Sequence, residues 1–147
     1  MVKHKVEEIT LSEKAPNLEA VFSKIATSLF DIVINTKDID PVTTKTIIIR
    51  ARDLKNLLFQ FLQRLFDLAN NDLFVLSTVK QLTIEQVSRE YLLNVVFIGD
   101  KMNPDYKVKD IVKQITDRNI AVREDRAGAS AQINIVVERR NVTEDEV

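Results

Sequence analysis

The sequence predicts an α+β domain in which two apolar helices cover mostly antiparallel β-sheet. Two stretches carry apolar residues at intervals of three and four. The remaining apolar segments are short, β-branched and alternating, and most fall in neighbouring pairs around brief turns, as antiparallel hairpins require.

The first strand is expected at Lys5 to Leu11, with Val6, Glu8 and Thr10 on one face and Glu7, Ile9 and Leu11 on the other. Asn17, just after Pro16, is placed to cap a helix whose Leu18, Val21, Phe22, Ile25, Leu29, Ile32 and Val33 form one stripe ending near Asn35. Val42 to Ala51 is rich in β-branched residues and reads as a strand. Asp53 then caps a second helix, from about Leu54 to Ala69. Its stripe of Leu54, Leu57, Leu58, Phe61, Leu62, Leu65 and Leu68 is widened by Phe59 and Phe66. Gln60, Gln63, Arg64 and Asp67 leave a narrow polar strip, so this helix is central and packed on several sides, against both its partner helix and the sheet. A membrane span is excluded for it, since that needs about 20 uninterrupted apolar residues.

Asn70 to Asp72 breaks the chain, and Ser77 to Gln86 with Glu90 to Gly99 reads as a hairpin turning at Ser88 to Glu90. Asn119 to Glu124 and Ser130 to Glu138 form a second hairpin around a turn containing Gly128. Between the hairpins, Val108, Ile111, Val112 and Ile115 have helical spacing in a β-branched context, and this segment stays open between helix and strand. The order is β-α-β-α-β-β-x-β-β. There is no repeat, linker or low-complexity stretch, so residues 3–140 read as a single domain, followed by an acidic, disordered tail at 141–147.

Composition narrows the function classes. A net charge of −1 gives no clustered cationic footprint, so direct binding to nucleic acid or an anionic membrane is not expected. The absence of cysteine removes disulfides, zinc-thiolate sites and thiol nucleophiles, and suits a reducing compartment. Charged residues near the N-terminus stand where a signal peptide would have its apolar run, which leads to a cytoplasmic reading. With only Gly99 and Gly128, no phosphate cradle or dinucleotide fingerprint can be built. His4, the one histidine, lies near the N-terminus between Lys3 and Lys5; a solvated residue is the plainer reading than a catalytic base. Glu8 and Glu138 could approach if the first and last strands are neighbours, and hard cations such as calcium or magnesium use such oxygens; solvated surface carboxylates are the other reading. General acid and base catalysis by the pair would need a concave pocket and a raised pKa.

Several stretches resemble the archease family, small α+β proteins that act as cofactors of the RtcB-type tRNA-splicing RNA ligase. The resemblance runs from about Lys5 to Glu138. Its strongest part is RDLKNLLFQFLQRLFDLANNDLF (Arg52 to Phe74), similar to the family's Asp-Leu, Leu-Leu, Phe-Leu helix and the acidic turn after it. NLEAVFSKIATSLFDIVIN resembles the family's first helix, TVKQLTIEQ and FIGDKM its middle hairpin, and VKQIT (Val112 to Thr116) its Val-Lys-Ala-Ile-Thr motif. The resemblance places Glu8 at the metal-binding aspartate of the family's His-Thr-Ala-Asp strand and Glu138 at the aspartate that ends the last strand. Both are one methylene longer here. A flexible calcium shell tolerates that better than octahedral magnesium. Lys113 and Thr116 are retained, whereas Asp117 and Arg118 stand where an aromatic and a histidine often follow.

The resemblance implies a monomeric, non-catalytic partner of an RtcB-type ligase that promotes guanylylation of the ligase with GTP. It would present a tip made of Glu8, Glu138 and an ion, with Lys113 and Arg118 facing the ligase. The alternative is an archease-fold protein-binding or chaperone-like module without the metal.

Overall fold

The computed structural model describes residues 3–142, and the side chains of residues 5–140. The His4 side chain and the tail from residue 143 lie outside the described residues. The elements run β1 (Lys3–Ala15), α1 (Leu18–Val33), a 3₁₀ turn (Thr36–Asp38), β2 (Thr43–Ala51), α2 (Leu54–Asn71), β3 (Phe74–Val87), β4 (Glu90–Lys101), β5 (Ile111–Ile115), β6 (Ala121–Asp125) and β7 (Gly128–Val142). The expected order holds throughout, and the open segment is a strand, β5. Strand β7 continues two residues past the boundary expected at 140.

Both helices begin where their cap residues dictate. Asn17 Oδ1 accepts from the Ala20 amide at 2.8 Å and Asp53 Oδ1 from the Asn56 amide at 2.7 Å, so each satisfies one amide that the first turn leaves unpaired. The Leu18 amide donates to Glu124 Oε2 on β6 at 2.9 Å, which ties the start of α1 to the second hairpin.

Among the described residues all strand pairs are antiparallel, and they form two sheets rather than one. One has the order β1-β7-β5 with β6 also paired to β7; the other has the order β2-β4-β3. Both helices contact strands of both sheets, so each needs apolar residues on more than one side. This accounts for the breadth of the α2 stripe. A run of aromatic rings links the layers: Phe22 of α1 stacks on Phe61 of α2 (centroids 5.9 Å apart), Phe61 on Phe97 of β4 (6.1 Å), and Phe74 of β3 meets both Phe97 and Phe30. The inner faces of β1 and β7 (Leu11, Ile133, Ile135, Val137) close the core from the other sheet.

Gly99 of β4 lies where Phe74 and Val75 of β3 come closest. A Cβ there would stand 2.0 Å from the Val75 carbonyl oxygen and 2.7 Å from the Phe74 ring.

Candidate functional site

The outer face of the β1-β7-β5 sheet carries the residues singled out above. Strands alternate their side chains between faces, so buried Ile133, Ile135 and Val137 on β7 force Gln132, Asn134, Val136 and Glu138 outward. β1 and β7 are neighbours in register, with Val6 opposite Glu138, Glu8 opposite Val136 and Thr10 opposite Asn134. Glu8 and Glu138 therefore share a face but are diagonal neighbours, a relationship that puts Cα atoms about 7–8 Å apart in an antiparallel pair. On the other side of β7, Ile111 lies opposite Glu138 and Gln114 opposite Val136.

Lys113 is the extra residue of a β-bulge between Val112 and Gln114, and its side chain is exposed. Glu8 instead meets Arg118. Its Oε1 and Oε2 accept from Arg118 Nε at 3.1 and 3.0 Å, Oε1 also accepts from Nη2, and Oε2 accepts from Asn134 Nδ2 at 2.7 Å. The pair is partly exposed, with side-chain accessibilities of 53% for Arg118 and 33% for Glu8. Hydrogen bonding from Arg118, and then from Asn134, holds the Glu8 carboxyl below its ordinary pKa, and the same pairing raises that of Arg118.

The short connection after β5 positions Arg118. Thr116 is buried, 1% exposed; its Oγ1 donates to the Asn134 carbonyl at 2.6 Å and accepts from the Arg118 amide at 3.1 Å. The Asn134 amide returns a bond to the Arg118 carbonyl at 3.0 Å. Asn119 follows with φ 56°, a left-handed conformation that asparagine tolerates better than most residues. Its Nδ2 donates to Asn134 Oδ1 and Thr10 Oγ1, and Gln132 Nε2 donates to Asn119 Oδ1 at 2.9 Å. Thr10 Oγ1 donates to Asn134 Oδ1 at 2.7 Å. Sequence reading missed this support of Thr10, Asn119, Gln132 and Asn134, although β-alternation alone puts Thr10, Gln132 and Asn134 on the Glu8 face.

A second charged cluster lies on the opposite side of the sheet. Arg139 Nε donates to Glu7 Oε1 at 2.8 Å and Nη1 to Asp110 Oδ2 at 3.0 Å, while Asp110 Oδ1 accepts from the Arg140 amide at 2.9 Å. It joins β1 and β7 to the segment that docks under α1, where the Lys109 amide donates to the Val33 carbonyl at 2.7 Å.

A divalent cation at Glu8 would need free oxygen lone pairs. Donors from Arg118 and Asn134 use both Glu8 oxygens, and Asn134 turns an N–H rather than its oxygen toward them. Among the described residues, no group of three or more His, Cys, Asp or Glu side chains is gathered to hold a metal. The donor set around Glu8 does not fit such an ion.

The sequence profile of the Archease protein family (MTH1598/TM1083) matches residues 8–137. The chain belongs to the archease family. It is 31% identical over 106 residues to a protein archease of Thermococcus kodakarensis, covering 71% of this chain and 74% of that one. It matches one from Pyrococcus furiosus to the same extent, and one from Methanosarcina barkeri at 27% over 120 residues, covering 78% and 80%. The solution structure of Methanobacterium thermoautotrophicum protein 1598 superposes with a TM-score of 0.73 at 18% identity, over 90% of this chain and 96% of that one. That likeness establishes the shared fold. Among the described residues of this archease-family chain, no helix is long and apolar enough to cross a membrane.

Proposed function

We propose that this archease-family protein is a non-catalytic, cytoplasmic protein cofactor of an RtcB-type RNA ligase in tRNA splicing. It acts as a monomer and does not bind RNA directly. It promotes transfer of a guanylyl group from GTP to the ligase's own histidine, with release of pyrophosphate, and so returns a stalled ligase to turnover. The family match over residues 8–137 carries this reading. The absence of a glycine-rich phosphate cradle supports it, because the nucleotide then belongs to the partner. The outer sheet face supplies the contact surface, with Glu8, Arg118, Glu138 and Lys113 as its charged groups.

The test is to incubate the matching ligase with radiolabelled GTP and metal, with and without this protein, and to follow covalent label on the ligase. Faster labelling that Arg118→Gln and Glu8→Gln both reduce is the expected result. A second reading, a protein-binding or chaperone-like module, is favoured by one observation: an arginine, rather than free oxygens, faces Glu8. Unchanged labelling by a protein that still co-purifies with the ligase would select it.

A further inference from the structure

We propose that Arg118 is a built-in cation, standing where a divalent ion would otherwise compensate Glu8, so that this face is ordered and charge-balanced without metal. A carboxylate offers roughly four lone-pair positions on its two oxygens. Here three N–H donors engage both oxygens: the Arg118 Nε–H is shared between Oε1 and Oε2, Arg118 Nη2 donates to Oε1, and Asn134 Nδ2 donates to Oε2. The guanidinium approaches side-on through Nε and Nη2, the planar fork that matches a carboxylate and gives the contact a defined direction. An entering ion would have to displace that fork and sit beside a fixed positive charge.

The arginine is also held in place, which separates this pair from a loose surface ion pair. The buried Thr116 hydroxyl receives the Arg118 amide, the Asn134 amide bonds the Arg118 carbonyl, and Asn119 turns the chain immediately afterwards. Asn134 then supports both partners, through its backbone to Arg118 and through its side chain to Glu8. Removing the guanidinium would leave the Glu8 oxygens on the same face as Glu138, one diagonal step away across β1 and β7. That is the beginning of an oxygen-donor site, and water can complete a calcium shell.

The inference takes from the ligase reading only that this is the working face, and its test uses the chain alone. Calcium and magnesium chloride are titrated calorimetrically into the native protein, Glu8→Gln, Arg118→Gln, and the double variant Arg118→Gln with Glu8→Gln. Circular dichroism first confirms that each is folded. The native protein is expected to give no saturable heat up to about 1 mM, the weak end of calcium modules. Arg118→Gln is expected to acquire a saturable site at least about tenfold tighter than that limit, and the double variant to lose it. Saturable binding by the native protein that Glu8→Gln alone abolishes would overturn the proposal. Silent titrations of both the native protein and Arg118→Gln would overturn it equally, because the position would then be no cation site for arginine to replace. A chain that fails to stimulate a ligase can pass this test, and one that stimulates can fail it.

Discussion

Arg118 reaches from the connection after β5 to the outer face of β1 and grips Glu8 across a sequence separation of 110 residues. Neither residue is near the other in any local element. What joins them is the position of β7, which pairs with β1 on one side and β5 on the other. The pair is a fastener across three strands as well as a feature of the surface.

The Glu8 pairing predicts a pH dependence with a definite sign. Its folded pKa lies below the ordinary 4.5, with the hydrogen bond from Arg118 the largest cause. The folded state then binds fewer protons than the unfolded one, so the stabilisation is fully present above the unfolded value. It is lost as pH falls through the lowered folded value. Melting temperature measured from about pH 5 downward is expected to fall less steeply for Glu8→Gln than for the native protein. Glu7 is lowered too, chiefly by its hydrogen bond from Arg139, so the variant keeps part of the acid slope. Identical slopes would mean that the Glu8–Arg118 pair contributes nothing to folding.

The helices were legible because their signals are local. Asn17 and Asp53 are caps by residue type, and the stripes behind them have the period of a helix. β5 was not legible, for a reason the structure makes specific. Val112 and Ile115 are both buried, and the bulge at Lys113 sets them three positions apart where a regular strand would set same-face residues two apart. One inserted residue thus imitates helical spacing. The division into two sheets was also hidden, since hairpins declare local pairs but not which pairs join. Glu8 and Glu138 could be placed on one face from alternation once β1 and β7 were neighbours. The grip of Arg118 on Glu8 depends on a left-handed residue and a buried hydroxyl, neither of which has a pattern along the chain.

Phe61 tests the wide apolar face of α2. It is fully buried and stacked between Phe22 and Phe97, so it joins both helices to the β2-β4-β3 sheet. Phe61→Ala is expected to destabilise by about 3–5 kcal/mol, the range for deleting a buried aromatic side chain. Urea unfolding with unchanged m-value is the measurement. A loss below about 1 kcal/mol would mean that the layers collapse around the cavity and that the aromatic run does not organise the core.

Gly99 is expected to resist even the smallest side chain. A methyl group would stand 2.0 Å from the Val75 carbonyl oxygen, a backbone atom that can move only if β3 moves with it. Gly99→Ala should cost at least about 1–3 kcal/mol, the usual range for overpacking. Amide hydrogen exchange should rise first at the Phe74–Leu76 end of β3 and spread to β4. A variant as stable as the native protein would show that these two strands have slack at this point.

Thr116 connects the core to the candidate site, and two substitutions separate its roles. The hydroxyl donates to the Asn134 carbonyl and receives the Arg118 amide, and the residue is 1% exposed. Thr116→Val keeps the shape and removes both bonds, so the Arg118 amide loses its protein partner. The expected cost is about 1–3 kcal/mol, within the range for breaking side-chain hydrogen bonds at a buried position. Thr116→Ser keeps the hydroxyl and loses one methyl, with an expected cost of about 1 kcal/mol. The discriminating readout is the acid slope of the melting temperature. If the hydroxyl positions Arg118, Thr116→Val should weaken the grip on Glu8 and flatten the slope as Glu8→Gln does, while Thr116→Ser should leave it native. A valine variant that is less stable yet keeps the native slope would confine Thr116 to packing and leave Arg118 positioned by Asn134 alone.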